Sequence, residues 1–174
     1  MAICICKSYS IVVTSSMDCT MIIWDLNRLQ YVQSIFDHKN PVKLLTISDT
    51  LGDIASVSNS DLGSYLKVHT INAKLVGTVY TPIPITAICY SNAKEGISVN
   101  VIVTGFLDGT IKLWNSWNLN LASVITTGNL QYPIISLTYS EDNQHLYAAN
   151  KQGIVTMWKN PIKGIKESRF LTLK

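Results

Sequence analysis

The amino-acid sequence predicts an all-β protein built from about four copies of one four-stranded unit. Three observations support this prediction: short alternating strand patterns, a tight-turn signal between two of them, and the recurrence of both at a nearly constant spacing. The clearest copy is the stretch NVIVTGFLDGTIKLW, from Asn100 to Trp114. It contains two runs of β-favouring residues around Asp108-Gly109, a pair that tolerates the backbone angles of a tight turn.

A hairpin of this kind recurs four times, and each copy ends in a residue with an aromatic ring. These anchor residues are Trp24, His69, Trp114 and Trp158. Their separations are 45, 45 and 44 residues. In the first and third copies an aspartate, Asp18 or Asp108, stands six residues before the anchor, where it suits the turn between two strands. A repeat of this period indicates stacked units, each of which buries its faces against its neighbours.

Two further strands flank each hairpin. The preceding strand is indicated by PVKLLTISD, PITAICYSN and PIISLTYSE, which superpose residue by residue, and Ile3 lies within the same pattern at the start of the chain. A fourth strand follows each anchor, over residues 31–36, 75–80, 121–126 and 169–173. The predicted units are therefore approximately 1–36, 37–80, 81–126 and 127–174. Four short strands in each unit are typical of a β-propeller blade.

The pattern resembles the WD40 family over essentially the whole chain, although the Trp-Asp pair itself occurs only at Trp24-Asp25. More specific segments are IIWDLNRLQYVQS, GDIASVSNSDLGSYLKVHTINAKLVG, EGISVNVIVTGFLDGTIKLWNSWNL and HLYAANKQGIVTMW. They are similar to the C-terminal WD40 region of BEACH-domain proteins, and most similar to the lysosomal trafficking regulator (beige) branch. The BEACH domain that precedes this region in the family is absent from the chain.

The resemblance also leads to an expectation about the chain as a whole. WD40 rings commonly contain more blades than four. We therefore expect this sequence to form only part of a propeller and to belong to a longer protein. An open stack of blades leaves two apolar faces without a neighbour. We therefore expect the chain made alone to be poorly soluble or to self-associate, which size-exclusion chromatography would test.

The resemblance implies a buried set of hydrogen-bonded residues in each blade. The set consists of a His, a strand Ser or Thr, a turn Asp and the strand Trp. Every copy departs from the full set, and the second has Asp37 where the family has a Gly before its His. The structural repeat positions are Asp18 and Trp24 in copy one, His38 and His69 in copy two, Asp108 and Trp114 in copy three, and Trp158 in copy four.

Composition narrows the function. Hydrophobic residues make up 47% of the chain and charged residues 14%, below a typical share of about 25%, so the chain buries much of its surface or meets a partner. The net charge of +3 gives no reason to expect nucleic acid. No apolar run approaches the roughly 18 residues of a membrane span. The four scattered cysteines favour a reducing, cytoplasmic location.

We predict no catalytic residues, no cofactor site and no metal site. The sequence has no G-x-S-x-G elbow and no C-x-x-C pair, and its three histidines lie in repeat positions or at strand edges. The candidates for partner binding are Trp117, Tyr80 and Tyr132, the two tyrosines being placed on inter-blade loops. We expect Trp117 to pack against the neighbouring blade, and the alternative is an exposed aromatic residue at an interface.

The predicted function is a non-catalytic protein–protein interaction platform that binds other proteins through loops at the propeller rims. The resemblance implies a role in regulating the size of lysosomes and related organelles and in vesicle traffic. It also implies that association with endosomal or lysosomal membranes occurs only through the larger protein or its partners. An alternative is an unrelated WD40 scaffold subunit of a nuclear or RNA-processing complex. The sequence upstream of this region would distinguish the two.

Overall fold

The computed structural model describes residues 1–93, 99–126 and 132–159, together with the backbone of a strand at 168–171. Over these residues the chain forms sixteen β-strands joined by turns and short connections. They build two compact units, Met1–Pro82 and Ile83–Lys174. None of the described residues belongs to a helix that is long and apolar enough to cross a bilayer.

The first unit contains two antiparallel sheets of four strands, each paired in sequence order. The first sheet consists of β1 (Ile3–Cys6), β2 (Ile11–Ser15), β3 (Met21–Asp25) and β4 (Gln30–Ile35). The second sheet consists of β5 (Val42–Ile47), β6 (Ile54–Ser60), β7 (Gly63–His69) and β8 (Leu75–Thr81). Alternate apolar residues of the two sheets form one buried core, which includes Val13, Met21, Ile23, Val42, Ile47 and Ile54.

The second unit repeats this arrangement. The third sheet consists of β9 (Ile85–Tyr90), β10 (Val101–Phe106), β11 (Ile111–Asn115) and β12 (Leu121–Ile125). The fourth sheet consists of β13 (Ile134–Tyr139), β14 (His145–Asn150), β15 (Val155–Lys159) and β16 (Ser168–Leu171). Their shared core includes Val101, Val103, Ile111, Leu113, Ile134, Leu146 and Trp158. A Cβ at Gly105 would lie 2.5 Å from Cγ2 of Ile134, so glycine lets the two sheets approach closely.

The predicted all-β architecture with four four-stranded units is confirmed. β8 and β12 begin at the predicted residues and end within one residue of the predicted ends. The last strand was predicted over 169–173 and is observed at Ser168–Leu171, and residues 172 and 173 lie outside the described part of the chain. The turns predicted at Asp18 and Asp108 are observed between β2 and β3 and between β10 and β11, because turn chemistry is a local property of the sequence.

Candidate interaction sites

Asp18 and Asp108 organise the turns between the second and third strands of their sheets. Asp18 Oδ1 accepts hydrogen bonds from Thr20 N at 3.0 Å and from Thr20 Oγ1 at 2.6 Å. Asp108 Oδ1 accepts the same pair from Thr110, at 2.9 Å and 2.7 Å. The bonds from Thr20 stabilise the carboxylate and lower the pKa of Asp18. Both side chains therefore stabilise the turns between their strands.

The tryptophan anchors are tied to the neighbouring strand of their own sheet. The indole N–H of Trp24 donates to Thr14 Oγ1 at 2.9 Å, and that of Trp114 donates to Thr104 Oγ1 at 2.8 Å. Trp158 is buried, but the position of β14 that corresponds to Thr14 and Thr104 carries Ala148, which has no hydroxyl to accept a bond from the indole. The anchors thus act within their sheets, where they fix strand pairing and fill space.

The second sheet replaces this pattern with two histidines. His38 is buried, and its ring nitrogens form hydrogen bonds of 2.8 Å with the hydroxyls of Ser56 and Ser58. His69 is fully buried at the anchor position, and its Nε2 donates to Asp37 Oδ2 at 2.7 Å. The two rings lie 6.4 Å apart between centroids. Ser56, which occupies the place of Thr14 in the first sheet, therefore bonds His38 and not the anchor ring.

Burial disfavours the charged, doubly protonated form of both imidazole rings. Desolvation, followed by the charges of Lys67 and His69, lowers the pKa of His38 from 6.5 to about 4. Desolvation also lowers the pKa of His69, against the opposing effect of its bond to Asp37. Both rings are therefore neutral at pH 7 and serve as hydrogen-bonding parts of the sheet.

We expect the chain to lose stability as the pH falls from 6.5 towards 4. In this window the unfolded chain binds a proton at His38 that the folded chain excludes, so the free energy of unfolding decreases by about 2–3 kcal/mol. Urea titrations at pH 7 and pH 4.5 measure the loss. His38→Gln should remove the part of this difference that comes from His38 and leave the part that comes from His69, whereas the control His145→Gln should keep the whole difference. An unchanged difference in His38→Gln would contradict the assignment.

The three residues predicted to bind partners lie in different surroundings. Trp117 is 58% exposed in the turn between β11 and β12, so the expectation that it packs against a neighbouring blade is wrong. The turn buries Leu119 instead, which leaves the indole in solvent. Tyr80 lies within β8 and not on a loop, because β8 stays paired with β7 through Thr81. Tyr132 precedes β13 and is partly buried.

A cavity beside the second sheet was not predicted from the sequence. Its lining includes Lys39, which has no counterpart in the other copies, and Lys67, whose position two residues before the anchor is also occupied by a lysine, Lys112, in the third copy. The sequence signals that lie beside it are the two departures from the family pattern, Asp37 in place of Gly and His69 in place of Trp. Departures of this kind mark places where a repeat has been adapted.

Comparisons with known proteins define the class. A family profile described as "WD domain, G-beta repeat" matches residues 1–25 and 74–115. The crystal structure of RRP9 WD40 repeats superposes on 97% of this chain and 49% of that chain, with a TM-score of 0.76 and 14% identity. The chain therefore contains WD40 repeats and has the WD40-type β-propeller fold, as the sequence predicts.

Two relatives narrow the identification. The chain is 48% identical to the human lysosomal-trafficking regulator over 155 residues, which are 88% of this chain and 4% of the relative. It is 26% identical over 193 residues to BEACH domain-containing protein A2 of Arabidopsis thaliana, covering 93% of this chain and 5% of the relative. The chain is homologous to lysosomal-trafficking regulators and other BEACH-domain proteins, and it spans only about one twentieth of the length of these relatives.

Proposed function

We propose that the chain is a non-catalytic protein-interaction module of a BEACH-type scaffold that regulates lysosome size and vesicle traffic. The observation that carries this proposal is the 48% identity to the human lysosomal-trafficking regulator over most of the chain. Identity at this level favours the trafficking role over the alternative of an unrelated nuclear or RNA-processing scaffold. The likeness to the RRP9 repeats, at 14% identity, concerns the fold alone.

The surroundings of the polar side chains support a binding role over a catalytic one. His38 and His69 are buried and hydrogen-bonded within the second sheet. A general base must reach a substrate proton. Partner binding needs only exposed side chains, which this fold presents at the ends of its sheets, and it does not need a general base. We propose a cytoplasmic location, with membrane association supplied by the larger protein or by its partners.

Trp117 is the proposed contact residue for a partner. It is 58% exposed in the β11–β12 turn, and exposed tryptophans contribute strongly to protein interfaces when a partner covers them. Val99 is also exposed, and it precedes Asn100, whose carbonyl oxygen accepts a hydrogen bond from Ser116 N in the same turn. Trp117 and Val99 therefore both lie at the same end of the third sheet.

A chimera tests the proposal. The chain replaces the matching segment of the human lysosomal-trafficking regulator in cells that lack this protein, and the diameter of lysosomes is measured. We expect the chimera to restore the normal diameter and Trp117→Ala to lose at least about half of the rescue. Leu29→Ala is the matched control, because Leu29 is exposed in the corresponding turn of the first sheet.

Each outcome of this experiment has a defined reading. A wild-type chimera that is made in normal amounts but leaves lysosomes enlarged would contradict the trafficking role. Full rescue by Trp117→Ala would contradict the assignment of the contact residue. Equal loss in Trp117→Ala and Leu29→Ala would also count against Trp117, since it would point to a general effect of surface changes.

A further inference from the structure

A cavity of about 330 Å³ lies on one face of the second sheet. It is lined by side chains from residues 37–40, from β6 and its turn, and from β7 and β8. The side chains that matter for its chemistry are Lys39, Ser58, Ser60, Leu62, Tyr65 and Lys67. Its volume is at the lower end of the range of about 300–1,000 Å³ typical of ligand pockets, so it accommodates one or two side chains.

Hydrogen bonds hold the walls of this cavity in place. Lys67 Nζ donates to the backbone oxygen of Asp37 at 2.6 Å, which joins β7 to the segment before β5. Tyr80 OH donates to the backbone oxygen of Leu62 at 2.7 Å, and its ring lies 5.2 Å from that of Tyr65. Because hydrogen bonds already hold these groups, the protein loses less conformational entropy when a ligand binds here than it would at a flexible surface.

The cavity accompanies the replacement of tryptophan by histidine at position 69. In the first sheet the indole N–H of Trp24 donates to Thr14 Oγ1. In the second sheet the smaller ring of His69 bonds Asp37 instead, and the hydroxyls of Ser56 and Ser58 bond His38. Ser58 and Lys67 line the cavity on this face of the second sheet.

The charge of the lining favours an anion. The charged side chains that line the cavity are two lysines, Lys39 and Lys67, and one aspartate, Asp37. This carboxylate accepts the hydrogen bond from His69, and its remaining charge repels an anion from its own side of the cavity. The positive charge of Lys67 also contributes to lowering the pKa of both His38 and His69, which lie behind the cavity in the same sheet.

We propose that this cavity binds an anionic side chain, carboxylate or phosphorylated, from an extended peptide segment of a partner protein. The anion lies between Lys39 and Lys67, and an adjacent apolar residue of the peptide contacts Leu62 and Tyr65. The hydroxyl of Ser60, which donates to Gly63 O at 3.1 Å, adds a polar wall. The inference rests on the proposed role of the chain as a protein-interaction module and adds a location and a ligand chemistry to it.

Peptide titrations test the chemistry directly on the full chain. Fluorescein-labelled heptapeptide pools carry a central glutamate, glutamine or phosphoserine, flanked by mixed leucine, valine and serine, and binding is followed by anisotropy in about 50 mM salt. We expect the glutamate or the phosphoserine pool to bind at least about tenfold more tightly than the glutamine pool. The ratio between the two anionic pools identifies the preferred anion. Equal affinity for all three pools would overturn the proposal.

Charge-matched variants locate the binding. The double variant Lys39→Gln/Lys67→Gln should lose about tenfold in affinity for the preferred anionic pool. The control Lys43→Gln/Lys74→Gln removes the same charge from exposed lysines outside the cavity and should change the affinity less than about twofold. Equal losses in the two variants would show a general electrostatic effect and contradict the site. Lys39→Gln alone keeps the bond from Lys67 and serves if the double variant unfolds.

Two further experiments distinguish peptide binding in the cavity from lipid binding and from the proposed trafficking function: a vesicle-binding assay and the chimera. Vesicles of phosphatidylcholine with about 20% phosphatidylserine provide anionic headgroups. Vesicle binding that requires Lys39 and Lys67, without peptide selectivity, would overturn the peptide assignment. Anion-selective peptide binding together with a chimera that fails to restore lysosome size would contradict the proposed function and leave the cavity assignment standing. The reverse pair of results would contradict the cavity assignment alone.

Discussion

Replacing Trp114 with alanine is expected to lower the free energy of unfolding by about 3–5 kcal/mol. The side chain is 7% exposed, so its removal opens a large cavity in the second unit. The change also removes the indole N–H that donates to Thr104 Oγ1 at 2.8 Å, and Thr104 is itself fully buried. A buried hydroxyl that loses a donor adds to the cost of the cavity.

Trp117→Ala is the matched control, since it makes the same chemical change three residues further along the chain. Its indole is 58% exposed, and we expect the free energy of unfolding to change by less than about 0.5 kcal/mol. Urea titrations followed by far-ultraviolet circular dichroism measure both variants. Equal losses would contradict the burial of Trp114, as would a Trp117→Ala variant that is the less stable of the two.

Local sequence signals were enough to predict the strands and their turns. The Asp-x-Thr turns at Asp18 and Asp108 depend on residues two positions apart, and the strands depend on alternation over five to seven residues. The burial of Trp114 followed from the recurrence of tryptophan at the repeat spacing in three of the four units, because a residue type that returns at this spacing serves the packing of the unit. None of these inferences needed contacts between distant parts of the chain.

Residues outside the repeat could not be placed in the same way. Trp117 occurs once, and its position relative to the neighbouring strands depends on which residue of the β11–β12 turn is buried; Leu119 takes that place. The partner of His69 is Asp37, which lies 32 residues earlier, and Lys67 reaches the backbone of the same residue. Contacts between residues this far apart in the sequence depend on how β5, β6 and β7 pair. Local sequence patterns therefore do not predict the cavity.

Replacing Gly63 with alanine is expected to cost more than about 4 kcal/mol of unfolding free energy. Gly63 begins β7 directly after the β6–β7 turn and has a φ of 147°, a conformation that other residues rarely adopt. A Cβ there would overlap the carbonyl oxygen of Thr81 and lie 3.0 Å from Cα of Pro82. These are backbone atoms at the end of β8, so they cannot turn away as a flexible side chain would, and the pairing of β7 with β8 must open.

Gly153→Ala separates the effect of the close approach from that of the backbone conformation. Gly153 also has a positive φ, 79°, but a Cβ added there would meet nothing within 4 Å. This variant should therefore cost only about 1 kcal/mol, the strain of the left-handed conformation. Urea titrations of both variants against the wild-type chain give the comparison. Similar losses at the two glycines would show that conformation alone sets the cost and that the end of β8 can move away from β7.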